Sequence, residues 1–556
     1  MVWLFLSTLT GSAAAPTLDQ LWPIAVQLGR THSVAAIGKI EPWPPKVWLD
    51  FPGIAFKPQT NSGQFVVQIA PNTPIGPHLI RLFNEQGASG PRFLIVTREP
   101  QIAEQEPNDD FTKPQVIERF PAAINGRLEK SGDVDSFAVS LEAGQTLIAS
   151  LEAYTLASPV DAVLRLVDGR GVQLALNHDD GRTLDPFLAF TARTAGAYVV
   201  QVFGFAFPAD SDIRFTGNSR CVYRLHLSRG PYARYSVPLG VRRGTRANLS
   251  LVGWNLGSRL SRDVEFDGTR LPQDCAWTTL RDAEFDNELT LPVSQGPEWL
   301  ETEPNNAASQ ASHYDPPCAI TGCIDPSGDQ DRFAFKAKKG EKLLIEVRSA
   351  SLGFPLDAWL AIEDTNGKEL AKNDDSANAD PVLEWTPPGD DTFIVAVGSV
   401  LHRGGADYLY RLSLQHPSPS VKAFVAENAS ALEPGRTNAL KVTVKRLHGF
   451  QSRLTVSIQG LPHDVKADAI EVPDPGGEVS LKLAAATDAK PFSGPIQVVI
   501  REAESGAEHH AVVELVGSGV NNGVPTGFNK LVIESTDQLW LTVLPAPPAK
   551  AASEKY

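Results

Sequence analysis

Short runs in which apolar and polar residues alternate recur along the whole chain, and a period of two marks half-buried strands. Near the start, Lys46-Val47-Trp48-Leu49-Asp50 and Gln64-Phe65-Val66-Val67-Gln68-Ile69 are such runs, with turn residues at Pro52-Gly53 and Gly76-Pro77. The same pattern predicts strands over 136–140, 146–151, 162–167, 197–203 and 223–228, and later over 439–444 and 454–458. Between them stand Leu166-Val167-Asp168-Gly169 and Asn177-His178-Asp179-Asp180-Gly181, where Asp, Asn and Gly accept local hydrogen bonds or positive φ. The expectation is an all-β chain of tandem β-sandwiches.

A repeat organises these runs. Gly132-Asp133-Val134-Asp135-Ser136-Phe137 returns 196 residues later as Gly328-Asp329-Gln330-Asp331-Arg332-Phe333 (Asp133 against Asp329). Each copy is preceded by an acidic opening, Glu104-Gln105-Glu106-Pro107-Asn108-Asp109 and Glu301-Thr302-Glu303-Pro304-Asn305-Asn306. Further matches keep chain order: Gly144 with Gly340, Asp161 with Asp357, Asp168 with Asp364, Asn177 with Asn373, Asp179 with Asp375, and Tyr223-Arg224-Leu225 with Tyr410-Arg411-Leu412. Between the copies, Arg243-Gly244-Thr245 parallels the early Gly29-Arg30-Thr31. The chain therefore divides into a signal peptide at 1–15, small sandwiches at 16–100 and 230–298, the repeats at 101–229 and 299–416, a C-terminal sandwich at 417–545, and a disordered tail at 546–556.

Composition narrows the class. A chain of 556 residues is too long for one core, and 44 Gly with 43 Pro punctuate it as turns punctuate β proteins. The net charge of −15 argues against a nucleic-acid partner, which needs clustered Lys and Arg. Met1-Val2-Trp3-Leu4-Phe5-Leu6 followed by Ser12-Ala13-Ala14-Ala15 reads as an export signal, although no Lys or Arg precedes the apolar run. No later stretch approaches the ~20 apolar residues of a membrane span. Of the four cysteines, Cys318 and Cys323 are near enough in sequence to bridge a small loop, and Cys221 and Cys275 pair or stay free.

The sharpest chemistry lies in the repeat. Two carboxylates at i and i+2 before an alternating run gather acid at the mouth of a strand, where a hard cation takes oxygen ligands. The plainer reading is a solvated linker with an Asx-turn and edge-strand charges that deter sheet pairing. The Glu-x-Glu-Pro-Asn opening, the Gly-Asp-x-Asp-x-Phe strand entry, the Gly before the next strand and the Tyr-Arg-Leu end resemble the bacterial pre-peptidase C-terminal domain. That domain is a jelly-roll-like β-sandwich carried by many secreted proteases and by the collagen-binding segments of clostridial collagenases. The flanking sandwiches resemble immunoglobulin-like modules, and the tandem arrangement resembles exported proteins of planctomycete-type bacteria. The resemblance implies a Ca²⁺ site in each copy: Glu104, Glu106, Asn108, Asp109, Asp133 and Asp135 in the first, and Glu301, Glu303, Asn305, Asn306, Asp329 and Asp331 in the second. Asn306 in place of Asp109 leaves the second site one charge short. With Ca²⁺ joining the opening segment to the Asp pair, each repeat is expected to be clamped to the module before it.

Other groups carry less. Asn177-His178-Asp179-Asp180 and Asn373-Asp374-Asp375-Ser376, with Asp185 or Asp380, offer a second cation site or simply a hairpin turn. His313, Cys318 and Cys323 lack zinc spacing and an evident fourth ligand. Trp43, Trp254, Trp299 and Trp385 line a sugar or peptide groove if exposed and pack cores if not. There is no Gly-x-Ser-x-Gly elbow, His-Glu-x-x-His or Walker loop. The reading is a non-catalytic, exported binding or scaffold protein in the periplasm, at the cell surface or outside the cell. Its expected partner is an extracellular protein or polysaccharide polymer or a cell-surface component. The alternative is a secreted hydrolase or its accessory subunit acting on an insoluble, collagen-like or polysaccharide polymer.

Overall fold

Alternation places every second side chain on one face of a strand, and in the computed structural model those apolar faces meet in pairs of sheets. It describes residues 14–180, 183–209, 211, 213–257, 261–272, 275–375, 380–517 and 530–546. Most of the expected leader, almost all of the expected tail, Gly181 and Ser376 lie outside the described residues. The protein is all-β, and the strands read from alternation fall where expected: Asp135–Leu141, Thr146–Glu152, Val160–Asp168, Gly196–Ala206, Val222–Ser228, Thr437–Leu447 and Leu454–Gln459. Among the described residues no helix is long and apolar enough to cross a membrane.

The two repeats are built strand for strand alike. In the first, one sheet runs in the order Gln101–Ala103, Ala122–Arg127, Val222–Ser228, Thr146–Glu152, Phe187–Thr191. The facing sheet runs Gln115–Val116, Asp135–Leu141, Gly196–Ala206, Val160–Asp168, Gln173–Asn177. In the second, the orders are Glu298–Leu300, Cys318–Cys323, Leu409–Gln415, Leu343–Arg348, Val382–Trp385 and Ser312–His313, Gln330–Ala337, Asp391–Ser399, Ala358–Asp364, Glu369–Asn373. Phe137 and Phe333, from the repeated Gly-Asp-x-Asp-x-Phe, fill equivalent places in the two cores. A smaller two-sheet module between the repeats is centred on Leu249, Leu251, Phe266 and Leu291.

The two repeats and this module form one compact unit, whereas the first and last sandwiches form another. That pairing of distant sequence is made by a buried arginine and a buried tryptophan. Arg81 Nη1 donates to Ser89 O at 3.0 Å and to Asn428 Oδ1 at 3.1 Å. Trp540 lies edge-on to Trp48 (6.0 Å) and against Phe83 (5.0 Å), under the Arg81 guanidinium at 5.8 Å. Burial pushes Arg81 down to about 10.

The structure corrects the cysteine expectation. Cys318 and Cys323 begin and end one extended strand, and all four cysteines are free. Five steps of ~3.3 Å separate their Cα atoms by roughly 16 Å, far beyond the ~7 Å limit of a disulfide.

Trp540→Ala is expected to cost about 3–5 kcal/mol. Hydrogen exchange should then show protection lost together in Gly76–Asn84 and Leu539–Val543 and retained in Ala122–Arg127. Loss confined to Leu539–Val543 would contradict the shared core.

Candidate metal centres in the two repeats

In the first repeat the opening segment folds back onto the Asp pair. Parallel pairing of Gln115–Val116 with Phe137 and Ala138, and donation from Ser136 N to Asn108 O (3.1 Å), hold the segment against the Asp135–Leu141 strand. Glu104 Oε2 accepts from Arg127 N at 2.8 Å, and the Tyr223 hydroxyl lies 3.1 Å from that oxygen and 2.5 Å from Asp135 Oδ2. Asp133 Oδ2 accepts from Glu129 N at 2.5 Å. Glu106 Oε2 accepts from Asn108 N at 3.0 Å, and Asp109 pairs with Lys130 at 2.8 Å. One carboxylate oxygen from each of Glu106, Asp109 and Asp133 lies within 4.8 Å of the others. All six expected residues are thus drawn together.

The orphaned atoms give this arrangement its meaning. Glu104 Oε1, Asp133 Oδ1, Asp135 Oδ1 and both amide atoms of Asn108 are buried without a hydrogen-bond partner. Burying such groups unpaired is costly, and the set is all oxygen apart from one amide nitrogen, the donor chemistry of a hard divalent cation. The residues present therefore fit Ca²⁺.

The second repeat repeats the scheme with changes. Glu301 Oε1 accepts from Cys323 N at 2.7 Å, and Tyr410 donates to Asp331 Oδ2 at 2.6 Å. Glu301, Glu303 and Asp331 form the cluster, and Glu301 Oε2 is buried without a partner. The Asn305 amide oxygen faces Glu303 Oε1 at 3.3 Å and Asp331 Oδ1 at 3.1 Å; turned over, the amide would donate to both. Asp329 is drawn out of the cluster, since its two oxygens accept from Gln330 N (2.9 Å) and Asp325 N (3.2 Å). Asn306 is exposed, with Arg332 donating to its backbone oxygen.

Two residues at each site escaped the sequence reading. Tyr223 and Tyr410 were visible only as the repeated end of the unit. Their rings pass directly over Gly126 and Gly322, where an added Cβ would lie 2.0 Å and 2.4 Å from ring atoms. Only glycine admits the crossing, and these glycines are also 196 residues apart (Gly126 against Gly322). That spacing was the available signal.

Both halves of each site belong to one repeat, so the ligand set fastens the opening segment to its own sandwich. The expected clamp onto the preceding module is not what this geometry builds. In the second repeat the opening strand is also fixed by a buried ion pair, Glu298 Oε1 with Arg411 Nη2 at 2.6 Å.

The further candidates resolve differently. Asp185 takes backbone donations from Ala153 (2.8 Å), Tyr154 (2.6 Å) and Thr155 (3.1 Å), and Asp380 takes them from Ser349, Ala350 and Ser351. Each caps a short 3₁₀ turn and is unavailable to a second cation. His178 instead stands between Asp161 (3.1 Å) and Asp179 (3.3 Å). His313 pairs with Asp315, and burial pushes the Cys318 and Cys323 thiols up to about 12, so neither is a ready thiolate for zinc.

No family model matches the chain. It is similar to a probable subtilase-type serine protease of Deinococcus radiodurans, 31% identical over 100 residues. That match covers 17% of this chain and 14% of the protease, so the chain spans about a seventh of the length of that relative. Solved structures align at low similarity: a Salmonella alpha-2-macroglobulin mutant (13% identity, 93% of this chain and 41% of that one, TM-score 0.14) and the eight N-terminal immunoglobulin domains of Down syndrome cell adhesion molecule (8% identity, 91% and 73%, TM-score 0.13). Scores this low carry no argument about architecture.

The carboxyl groups themselves predict a pH dependence. Burial pushes Glu104 up to about 7, Asp133 to about 6 and Asp331 to about 7. Asp135 and Glu301 are driven higher still, by burial first and then by the neighbouring carboxylates Glu104 and Asp331 respectively. A carboxyl raised in the folded state binds more protons there than in the unfolded chain, so its stabilisation is full below pH ~4 and is lost as pH rises through the folded value. In chelator, melting temperature should fall between pH 5 and pH 8. A melting temperature that rises over this interval would contradict the buried-carboxyl arrangement.

Proposed function

We propose that this is an exported, non-catalytic binding or scaffold protein whose two repeats are each ordered by Ca²⁺. The observation that carries the reading is an acidic cluster at the same mouth of each repeat, with three buried carboxylate oxygens lacking a hydrogen-bond partner in the first and one, Glu301 Oε2, in the second. In the first repeat Glu104, Glu106, Asn108, Asp109, Asp133 and Asp135 would hold the ion; in the second, Glu301, Glu303, Asn305 and Asp331. The ion supplies positive charge that offsets repulsion among carboxylates otherwise kept apart only by protons. Tyr223 and Tyr410 orient the inner Asp of each set. The result is a rigid opening to each sandwich, suited to presenting a fixed surface to an extracellular protein or polysaccharide polymer or to a cell-surface component. Export accords with the apolar start of the chain, and extracellular Ca²⁺ sites work at the ~10⁻⁴–10⁻³ M affinities that such modules show.

A second reading, a secreted hydrolase or its accessory subunit, is favoured by the partial likeness to a probable serine protease. Release of soluble fragments from collagen or an insoluble polysaccharide, abolished by changing a carboxylate outside the two clusters, would establish it. Pull-down on the same polymers without turnover would support the binding protein.

Millimolar Ca²⁺ should raise the melting temperature, and by more at pH 8 than at pH 5, because binding displaces protons. An unchanged melting temperature would refute the metal reading. With Asn306 in place of Asp109 and both oxygens of Asp329 held by backbone amides, the second repeat should bind about an order of magnitude more weakly. Titration calorimetry on the full chain, comparing Asp133→Asn/Asp135→Asn with Glu301→Gln/Asp331→Asn, checks this. Loss of the tighter site on the second pair of changes would reverse the assignment.

A further inference from the structure

Where the first repeat, the middle module and the second repeat meet, a cleft of about 420 Å³ opens. That is within the ~300–1,000 Å³ of small-molecule sites, which favour such junctions. Its lining mixes aromatic rings with polar groups. Phe187 of the first repeat, with Tyr232 and Trp254 of the middle module, form a three-ring cluster with centroids 5.5 to 6.2 Å apart. Tyr235 continues the wall and meets Phe354 of the second repeat at 5.3 Å. All but Phe354 are only half-buried.

A defect in the sheet borders the cleft. The Tyr232–Val237 strand pairs with Arg246–Trp254, placing Tyr232 opposite Trp254, and its register shifts between Ala233 and Tyr235. Arg234 is the extra residue at this bulge, and the run from Tyr232 to Ser236 borders the cleft throughout, with Arg234 and Tyr235 half-buried and Ala233 and Ser236 buried. Bulges are designed features rather than accidents of pairing. Arg234 lies 5.9 Å from the Trp254 ring and 6.0 Å from that of Tyr235, and its Nη1 is 2.8 Å from Asp407 Oδ1.

We infer that this cleft binds a neutral oligosaccharide, its sugar faces laid on Tyr232 and Trp254. The charges in and beside the lining choose the class. Arg234 is matched by Asp407 and Glu288 by Arg281, and Asp180 is engaged as well. Among the described residues of the lining, neither an anion nor a bare cation finds an unmatched partner of opposite sign. What remains is flat aromatic surface beside polar groups already fixed in place, which serves a ligand with apolar C–H faces and hydroxyl edges. Of the four tryptophans singled out from the sequence, Trp43 and Trp385 pack on Phe65 and Phe393 and Trp299 stands exposed, so the cleft draws on Trp254.

The site lies apart from both acidic clusters, and its test separates the two readings. The full chain is titrated by calorimetry and by tryptophan fluorescence with cellohexaose, mannohexaose, xylohexaose, laminarihexaose and chitohexaose, and with decaproline and hexagalacturonate as contrasting probes. At least one neutral hexaose should bind saturably, about tenfold or more weaker in Trp254→Ala and in Tyr232→Ala, with most affinity restored by Trp254→Phe. The Ca²⁺-dependent rise in melting temperature should be unchanged in these variants. If Trp254→Ala unfolds the module, Arg234→Gln at the cleft edge supplies the comparison, with the same weakening expected. Absence of binding by every neutral hexaose at millimolar concentration, binding indifferent to these changes, or Trp254-dependent preference for decaproline or hexagalacturonate would each overturn the assignment.

Discussion

The constraint on which each repeat depends is the desolvation of carboxylates at the mouth of a β-sandwich. Asp133, Asp135 and Asp331 are essentially out of solvent, and Glu104 nearly so. An unpaired charge in such surroundings costs several kcal/mol, so either a proton or a cation must accompany it. The Tyr223 strand lies in one sheet and the Asp135 strand in the other, so the tyrosine hydroxyl ties the two sheets together at the acidic mouth. Tyr410 does the same for Asp331. In each case the ring reaches across because the neighbouring strand carries a glycine beneath it.

The same framework, kept strand for strand, has been altered where it touches the acid. Lys130 and Asp109 make an outer ion pair in the first repeat. The second has Pro326 and Asn306 in those places and Asp329 tied to backbone. Surface pairs such as Lys130 with Asp109 contribute little by themselves. Their importance lies in keeping Asp109 beside Asp133, which extends the first cluster outward. The two copies thus share an inner acidic group and differ in its outer half, so one fold presents two different carboxylate environments.

Away from the repeats, a polar contact also decides an arrangement. Among the described residues Arg81 has no carboxylate partner, and the carbonyl and amide oxygens of Ser89 and Asn428 take its place. With Trp540 beneath it, a cation bound mainly by neutral acceptors fixes the last sandwich against the first. Such a contact is directional and cannot slide as an apolar patch can. In the middle module, one extra residue shifts the register of the Tyr232–Val237 strand where it borders the cleft.

Much of this was legible in the chain. Alternation located the strands to within one or two residues in most cases, because a half-buried strand has no other way to arrange its side chains. The 196-residue recurrence from Asp133 to Asp329 identified a duplicated unit and its acidic residues. The first repeat brings all six of its predicted residues together, since the opening and the strand entry are joined by local pairing. What the sequence could not decide depended on contacts between distant residues. Asp185 and Asp380 look like ligands in a list of acids, yet folding puts each over three backbone amides. Cys318 and Cys323 look close until the strand between them extends. Glu104 learns its chemistry from Tyr223, 119 residues away, and Trp540 its place from Trp48 and Arg81. Periodicity and local spacing are properties of the chain, whereas burial, and with it the state of every buried charge, exists only once distant strands have closed around it.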